Sequence, residues 1–459
     1  MSIKLSDNKK NVMINNKNNL YKIFHIENYG CQMNISDSEI ITSILLTHGF
    51  VISEKIETTD ILLLNACSIR EKAELSLTKK LEQLRFLKKK KKVLFGITGC
   101  FSKQLKELFL KEKKVDFFVE PDHYKEIPNI IKSISNGIKS ILLPRRKETY
   151  SDIIPFSNNK KVTTFLSITR GCNNMCTFCI VPFTRGREIS SDPNIIIKEC
   201  KRLYKIGYKE VTLLGQNVDS YEWKTGNSKN RFIKFSDLLN LLAKEIPLMR
   251  IRFSTSNPHD MSENVMRVIS KYPNICKHIH LPVQSGSNKI LKLMNRKYTR
   301  EEYINLIEKI RSIIPECSIS HDIMTGFCGE KEEDHKDTIS LMNKIKYNYG
   351  YMFYYSPRPG TLSYRKFRDD VPISTKKKRL KEIIDLQRKH SLYRMKKFIG
   401  ETQEILVEGI SKKNCKNLYG RNTQNIVVIF PKKNFVSIGD NINVKILDNT
   451  SATLIGKID

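Results

Sequence analysis

Twice along this 459-residue chain, short β-rich runs alternate with helical segments, and in both stretches cysteines stand at strand ends. Alternation of this kind calls for a parallel sheet with helices on its faces. In the first stretch, from Tyr21 to about Gly137, YKIFHIE, DILLLNA, KVLFGIT and VDFFV read as strands, and helices follow Ser36, Arg70, Phe101 and His123. Cys31, Cys67 and Cys100 each fall just past a strand. Ligands of open parallel sheets bind at the carboxyl ends of the strands. Three thiols far apart in sequence are therefore expected at one rim, with Gly30 and Gly99 in the tight turns beside them. Free cysteine is also a common small core residue, but the repeated placement favours a shared site.

The second stretch runs from Val162 to about Arg388, with strands near TTFLSIT, EVTLLG, RIRFST, IHLPV, SISHDIM and MFYYS. Six such units suggest an incomplete α/β barrel, whose active site belongs at the carboxyl ends of the strands. Cys172-Asn-Asn-Met-Cys176-Thr-Phe-Cys179 follows the first of these strands. Cluster iron is normally held by four cysteines. Three thiolates in one short loop can hold three corners of a cubic iron–sulfur cluster and leave the fourth iron open. Zinc is the alternative, but structural zinc takes four protein ligands. The next thiol, Cys200, lies in IIIKECKRLY, which reads as a helix.

A chain of this length is too long for one ordinary core, so two or three domains are expected. Residues 1–20 are polar and read as a disordered tail without a secretory signal. The strongest apolar run, Ile61–Leu64, is far too short to span a bilayer. A cytoplasmic protein is expected, in which eleven cysteines point to metal ligation or catalysis rather than disulfides. The net charge of +32 suits a nucleic-acid partner. A genome-wide bias toward Lys, Asn and Ile competes with that explanation, because alanine occurs only at positions 66, 73, 243 and 452. Residues 138–157, with Pro144, Arg145, Arg146, Lys147 and Pro155, read as a linker. After a basic helix from Ser374 to Lys397 come short strands (ETQEILVEG, NIVVIF, NINVKIL, ATLIGKI), a small β-barrel of a shape common in RNA binding. The sequence contains no P-loop and no G-x-G-x-x-G.

The cysteine loop, with Phe178 before its last cysteine, resembles the radical S-adenosylmethionine superfamily. Tyr29-Gly-Cys-Gln-Met-Asn34, Asn65-Ala-Cys-Ser-Ile-Arg-Glu-Lys-Ala73 and Gly99-Cys100 resemble the amino-terminal domain of the methylthiotransferases, and Thr169 to Arg187 their radical domain. The carboxyl-terminal β domain is similar to their TRAM domain. YGCQMN, LLGQNVDSY, HLPVQSGS, MNRKYTREEY and YYSPRPGT resemble the branch that modifies transfer RNA. Branches acting on ribosomal protein S12 or on threonylcarbamoyl adenosine carry different residues there.

The resemblance implies an α/β chain of three parts. These are a parallel-sheet domain over 21–137, an incomplete (β/α)6 radical core over 158–390 and a TRAM barrel over 393–459. It implies a [4Fe-4S] cluster on Cys172, Cys176 and Cys179, which cleaves S-adenosylmethionine, and a second on Cys31, Cys67 and Cys100, which carries the sulfur. The implied reaction places a methylthio group on C2 of N6-dimethylallyladenosine 37 in the tRNA anticodon stem-loop, with flavodoxin or ferredoxin as reductant. C2 carries a C–H bond of little acidity and no leaving group, so acid–base catalysis has nothing to act on. A radical solves that problem, and the cofactor carries this chemistry while the protein positions it. A monomer with no membrane association is expected. A non-catalytic RNA-binding protein with structural clusters is the alternative from another class.

By the same resemblance, Gly215, Gln216 and Asn217 lie where the methionyl amino group is held, and Phe178, Glu330 and Tyr354–Pro357 lie near the cofactor pocket. Plain packing is the competing role for each. Arg170, Arg185 and Arg187 suit phosphate or carboxylate recognition or simple loop solvation. His278 and His280 share a strand face and read as a satisfied barrel pair rather than metal ligands. Cys328 stands where the family usually has proline and reads as a tolerated small residue.

Overall fold

The computed structural model describes residues 22–67, 71–90, 93–101, 103–112, 114–137, 148–157, 161–226 and 232–458. The expected tail at 1–20 lies outside them. The chain divides into two compact units, Met1–Ser157 and Asn158–Asp459.

The first unit runs β1 (Ile23–Tyr29), α1 (Gln32–Thr47), β2 (Val51–Ile52), β3 (Ile61–Cys67), α2 (Glu71–Lys90), β4 (Leu94–Cys100), α3 (Lys103–Lys111), β5 (Phe117–Val119) and α4 (Ile127–Ser135). All five strands are parallel, in the order β2-β1-β3-β4-β5. The centre of the sheet is apolar on both faces, as covered parallel sheets are: Leu62 and Leu64 pack on one side, and Ile61 and Leu63 on the other. Helix α1 begins at Gln32, earlier than the sequence suggests, because the Asn34 side chain accepts from the Cys31 amide at 3.2 Å and closes the first turn. The expected linker is shorter than 138–157. Residues 148–157 pack on this unit: Tyr150 is buried and donates to Pro121 O at 2.7 Å, and the Phe156 amide donates to Glu39 O at 3.0 Å.

The second unit opens with β6 (Thr163–Ser167), β7 (Thr169–Arg170), α5 (Val181–Thr184), β8 (Ile189–Ser190), α6 (Pro193–Lys205), β9 (Glu210–Leu214), β10 (Glu222–Lys224), β11 (Phe232–Lys234), α7 (Phe235–Glu245), β12 (Arg250–Ser254) and α8 (Glu263–Lys271). It continues with β13 (His278–His280), α9 (Asn288–Leu293), α10 (Arg300–Ile313), β14 (Ser318–Thr325), α11 (Glu332–Ile345), β15 (Tyr349–Tyr354), α12 (Leu362–Lys366) and α13 (Ile373–Lys396). Strands β6-β9-β12 and β13-β14-β15 form two parallel three-stranded sheets. A parallel bridge at Ile251–Ile275 and the Ser256 amide on His280 O at 3.1 Å join them into one open curve. The expected six-stranded incomplete barrel is thus present, with an irregular seam at its middle.

Strands β16 (Thr402–Ile410), β17 (Asn417–Arg421), β18 (Val427–Pro431), β19 (Asn441–Asn449) and β20 (Thr453–Ile458) close into a barrel in the order β16-β17-β18-β20-β19. The sequence suggested four strands here. The missed one is β17, NLYGR, whose Gly420 lets the Leu406 carbonyl approach to within 2.1 Å of where a Cβ would stand. This small barrel seals the amino-terminal end of the larger one. Glu210, buried at the start of β9, forms ion pairs with Arg252 at 2.8 Å, Arg250 at 3.5 Å and Arg421 at 3.5 Å. Arg252 also donates to Asn422 O at 2.6 Å and to Thr423 O at 3.1 Å. The cysteine loop lies at the other end of the strands.

Candidate active site

At the rim of the first unit, Cys31 precedes α1, while Cys67 and Cys100 close β3 and β4 as partners on the last rung of their ladder. Strands β1, β3 and β4 are neighbours, so the fold brings together the three positions that the sequence singled out. Cys67 and Cys100 are the final residues of their strands rather than the residues after them. Gly99 holds a φ of +114°, and a Cβ there would stand 2.1 Å from Ala66 O, so only glycine suits this close approach.

A network of amides underlies this rim. Asn34 Nδ2 donates to Asn65 Oδ1 at 2.8 Å, and Asn65 Nδ2 donates to Asn34 O at 2.7 Å and to Ser38 Oγ at 2.8 Å. The Cys31 thiol donates to Asn34 Oδ1 at 3.3 Å. Asn34 and Asn65 are fully buried. Nothing in the sequence pattern marked them as more than neighbours of the cysteines. Asn34, three residues after Cys31, and Asn65, two before Cys67, were the available signal.

In the second unit the cysteine loop leaves β7 and returns through β8, an antiparallel pair that pinches its base. Gly171 has φ +75°, and a Cβ there would lie 2.2 Å from Arg187 O. The Cys172 amide donates to Gly186 O at 3.2 Å, and the Cys179 amide to Cys176 O at 3.0 Å. Cys172 and Cys176 are buried and Cys179 is partly so. Burial, with the neighbouring Cys176 adding repulsion, pushes the Cys172 thiol up to about 11 and the Cys179 thiol to about 12. Thiols crowded in this way ionise together only when a cation takes up the charge, which fits metal ligation. Among the described residues no three His, Cys, Asp or Glu side chains converge as ligands to one ion. Three thiols in one loop, each able to bind its own iron, suit a cubic cluster.

Phe178 packs edge-to-face on Phe327 with centroids 6.5 Å apart, over an apolar floor of Ile290, Met294, Cys328 and Tyr355. Cys328 is one of the small buried residues of that floor. The loop is tied down on this side by the Ser363 amide donating to Thr177 O at 2.7 Å.

Gly215, Gln216 and Asn217 follow β9 directly. Asn217 is 2% exposed; its Nδ2 donates to Asp260 at 2.6 Å, while its Oδ1 has no hydrogen-bond partner among the described residues. Desolvation lifts the nearby Asp219 carboxyl to about 7 and raises Glu188. The unpartnered Asn217 oxygen is an acceptor suited to an ammonium group. Glu330 is occupied differently: its Oε1 accepts from the Gly326 amide at 2.8 Å and from Arg379 Nη1 at 2.9 Å. Tyr355, within the Tyr354–Pro357 segment, donates to Ser363 at 3.0 Å. Arg170 and Arg185 are buried, which removes loop solvation as their role, while Arg187 is exposed. His278 and His280 share Ser320 Oγ, each at 2.9 Å, as a barrel pair would.

Three family models match the chain: the radical SAM superfamily over residues 166–342, the uncharacterized protein family UPF0004 over 23–120 and the TRAM domain over 396–458. The tRNA-2-methylthio-N(6)-dimethylallyladenosine synthase of Karelsulcia muelleri is 57% identical over 451 residues, covering 95% of this chain and 99% of that protein. The chain belongs to this synthase family. The corresponding synthase of Flavobacterium johnsoniae is 51% identical over 463 residues, covering 97% of this chain and 95% of its own. Among solved structures, the radical S-adenosylmethionine methyltransferase TsrM of Kitasatospora setae, with cobalamin and a [4Fe-4S] cluster bound, covers 75% of this chain and 74% of its own. Its TM-score is 0.57 at 11% identity, a likeness of fold alone. No helix of the described residues is long and apolar enough to cross a membrane.

Proposed function

We propose that this chain adds a methylthio group to C2 of N6-dimethylallyladenosine 37 in the anticodon stem-loop of tRNA, acting as a cytoplasmic monomer. The observation that supports this reading is that three cysteines stand in each of the two units, at strand ends in one and in a single loop in the other, in a chain of this family. Cys172, Cys176 and Cys179 would hold one [4Fe-4S] cluster, and Cys31, Cys67 and Cys100 a second. When bound, the first supplies, with S-adenosylmethionine and one electron from a flavodoxin or ferredoxin, a radical able to take hydrogen from C2, and the second supplies sulfur.

The chain's own residues prepare the site. Phe178, Phe327 and Tyr355 line an apolar floor that keeps water from the loop. Asn217 Oδ1, buried and unpartnered among the described residues, would accept from the methionyl ammonium. RNA would reach the small carboxyl-terminal barrel where Lys416 and Lys432 are joined through their backbones at 2.8 Å and Phe435, three residues on from Lys432, is 75% exposed. Cations with an aromatic face suit a phosphate backbone and an unstacked base.

The test is nucleoside mass spectrometry of tRNA from a methylthio-deficient strain expressing the gene. The expected result is 2-methylthio-N6-dimethylallyladenosine. The methylthio form of threonylcarbamoyl adenosine, or a modified ribosomal protein S12 in place of it, would overturn the substrate assignment.

A further inference from the structure

The stretch MNRKYTREEY resembles the tRNA-modifying branch, but its beginning is turned toward the cysteine loop. After α9, Asn295 takes a left-handed φ of +57° and reverses the chain. The turn then grips the loop. The Thr177 amide donates to Met294 O at 3.1 Å, Thr177 Oγ1 to Leu293 O at 2.9 Å, and Asn295 Nδ2 to Met175 O at 2.8 Å.

Beside the Asn174 amide, which donates to Cys172 Sγ at 3.4 Å, Arg296 brings a charged donor to a ligand atom. Its Nη1 donates to Cys176 Sγ at 3.3 Å, within the range for a sulfur acceptor. Its other nitrogens fix the plane of the guanidinium: Nη2 donates to Pro282 O at 2.8 Å and Nε to the Tyr298 hydroxyl at 2.9 Å. The Tyr298 hydroxyl is anchored in turn on Val283 O at 2.9 Å, and its ring lies 5.2 Å from the guanidinium carbon. Among the described residues no carboxylate forms an ion pair with Arg296, so its charge is directed at the sulfur rather than neutralised beside it.

We propose that Arg296 is a positioning residue that sets the reduction potential of the cluster held by Cys172, Cys176 and Cys179. The proposal rests on the reading that these thiols hold a cluster. Hydrogen bonds to the sulfurs are among the protein's means of tuning a cluster. Reduction adds one negative charge, delivered by the low-potential donor, and that charge is shared by the ligand sulfurs. A fixed cation donating to one of those sulfurs stabilises the reduced form more than the oxidised form, and so raises the potential.

The experiment is an anaerobic potentiometric titration, followed by electron paramagnetic resonance. It uses the full-length protein carrying Cys31→Ala, Cys67→Ala and Cys100→Ala, so that one cluster gives the signal. Arg296→Gln is expected to shift the midpoint to more negative potential, and Arg296→Lys to restore part of the shift. An unchanged midpoint in Arg296→Gln, with iron and sulfide retained, would overturn the proposal. Should that variant lose its iron, the chain with Arg296 intact decides. Pulsed resonance of the reduced cluster, with [15N]arginine incorporated, is expected to show a guanidinium coupling, and its absence would overturn the proposal equally. Failure of the triple cysteine variant, with Arg296 unaltered, to bind about four irons would instead remove the cluster reading itself.

Discussion

Cys67 and Cys100 stand opposite one another on the last rung of the β3–β4 ladder, although more than thirty residues separate them in sequence. With Cys31 beside β1, they are the residues proposed to hold the second cluster. Replacing any one of the three with alanine is expected to lower iron from about eight to about four per chain, while reductive cleavage of S-adenosylmethionine continues at the other site. Full iron content in all three variants would remove the second site.

Asn34 holds that rim together, accepting from Cys31 and donating to Asn65. Asn34→Ala deprives Asn65 of a buried partner, a cost of about 1–3 kcal/mol, and frees the Cys31 turn. The rim cluster is expected to lose iron to a chelator faster than in the unaltered chain, with the other cluster unaffected. Equal rates of loss would make the asparagines bystanders.

How much of this was legible from sequence depends on whether a signal was local. The cysteines and the strand–helix alternation were legible because thiols and apolar periodicity declare themselves within a few residues. Strand β17 was missed because its role depends on Gly420 meeting Leu406 across the barrel, which no local pattern reports. Glu330 carried no sign of Arg379, its partner far along the chain. The amide network failed to stand out for the same reason: Asn34 and Asn65 are far apart in sequence, and the sheet brings them together.

Glu210 illustrates a second kind of long-range tie. Burial alone would raise its carboxyl, but Arg252, Arg421 and Arg250 together hold it below the usual value. Removing one partner of a buried ionic group leaves uncompensated charge, typically about 3–5 kcal/mol. Glu210→Gln is therefore expected to lower the denaturant midpoint and loosen the small barrel from the larger one, as read by protease sensitivity. An unaltered midpoint and cleavage pattern would show that the three arginines find other partners.

His321 supplies a pH dependence. It is fully buried against Gln387 at 2.9 Å, and burial pushes its pKa down to about 4. The unfolded chain therefore binds a proton between about pH 6.5 and 4 that the folded chain refuses, so stability falls with pH across that window. The loss from this residue between pH 7 and pH 5 is about 2 kcal/mol. Comparing anaerobic unfolding at the two pH values in the unaltered chain and in His321→Gln is expected to show the smaller loss in the variant. Equal losses would assign the acid sensitivity elsewhere.

The most direct test of the whole account uses the reconstituted protein, S-adenosylmethionine, a chemical reductant and an anticodon stem-loop carrying N6-dimethylallyladenosine deuterated at C2. The expected result is a methylthio product, with the deuterium recovered in 5′-deoxyadenosine. A methylthiolated product without deuterium in 5′-deoxyadenosine, or cleavage without product while both clusters are present, would contradict hydrogen abstraction from C2 by the radical formed at Cys172, Cys176 and Cys179.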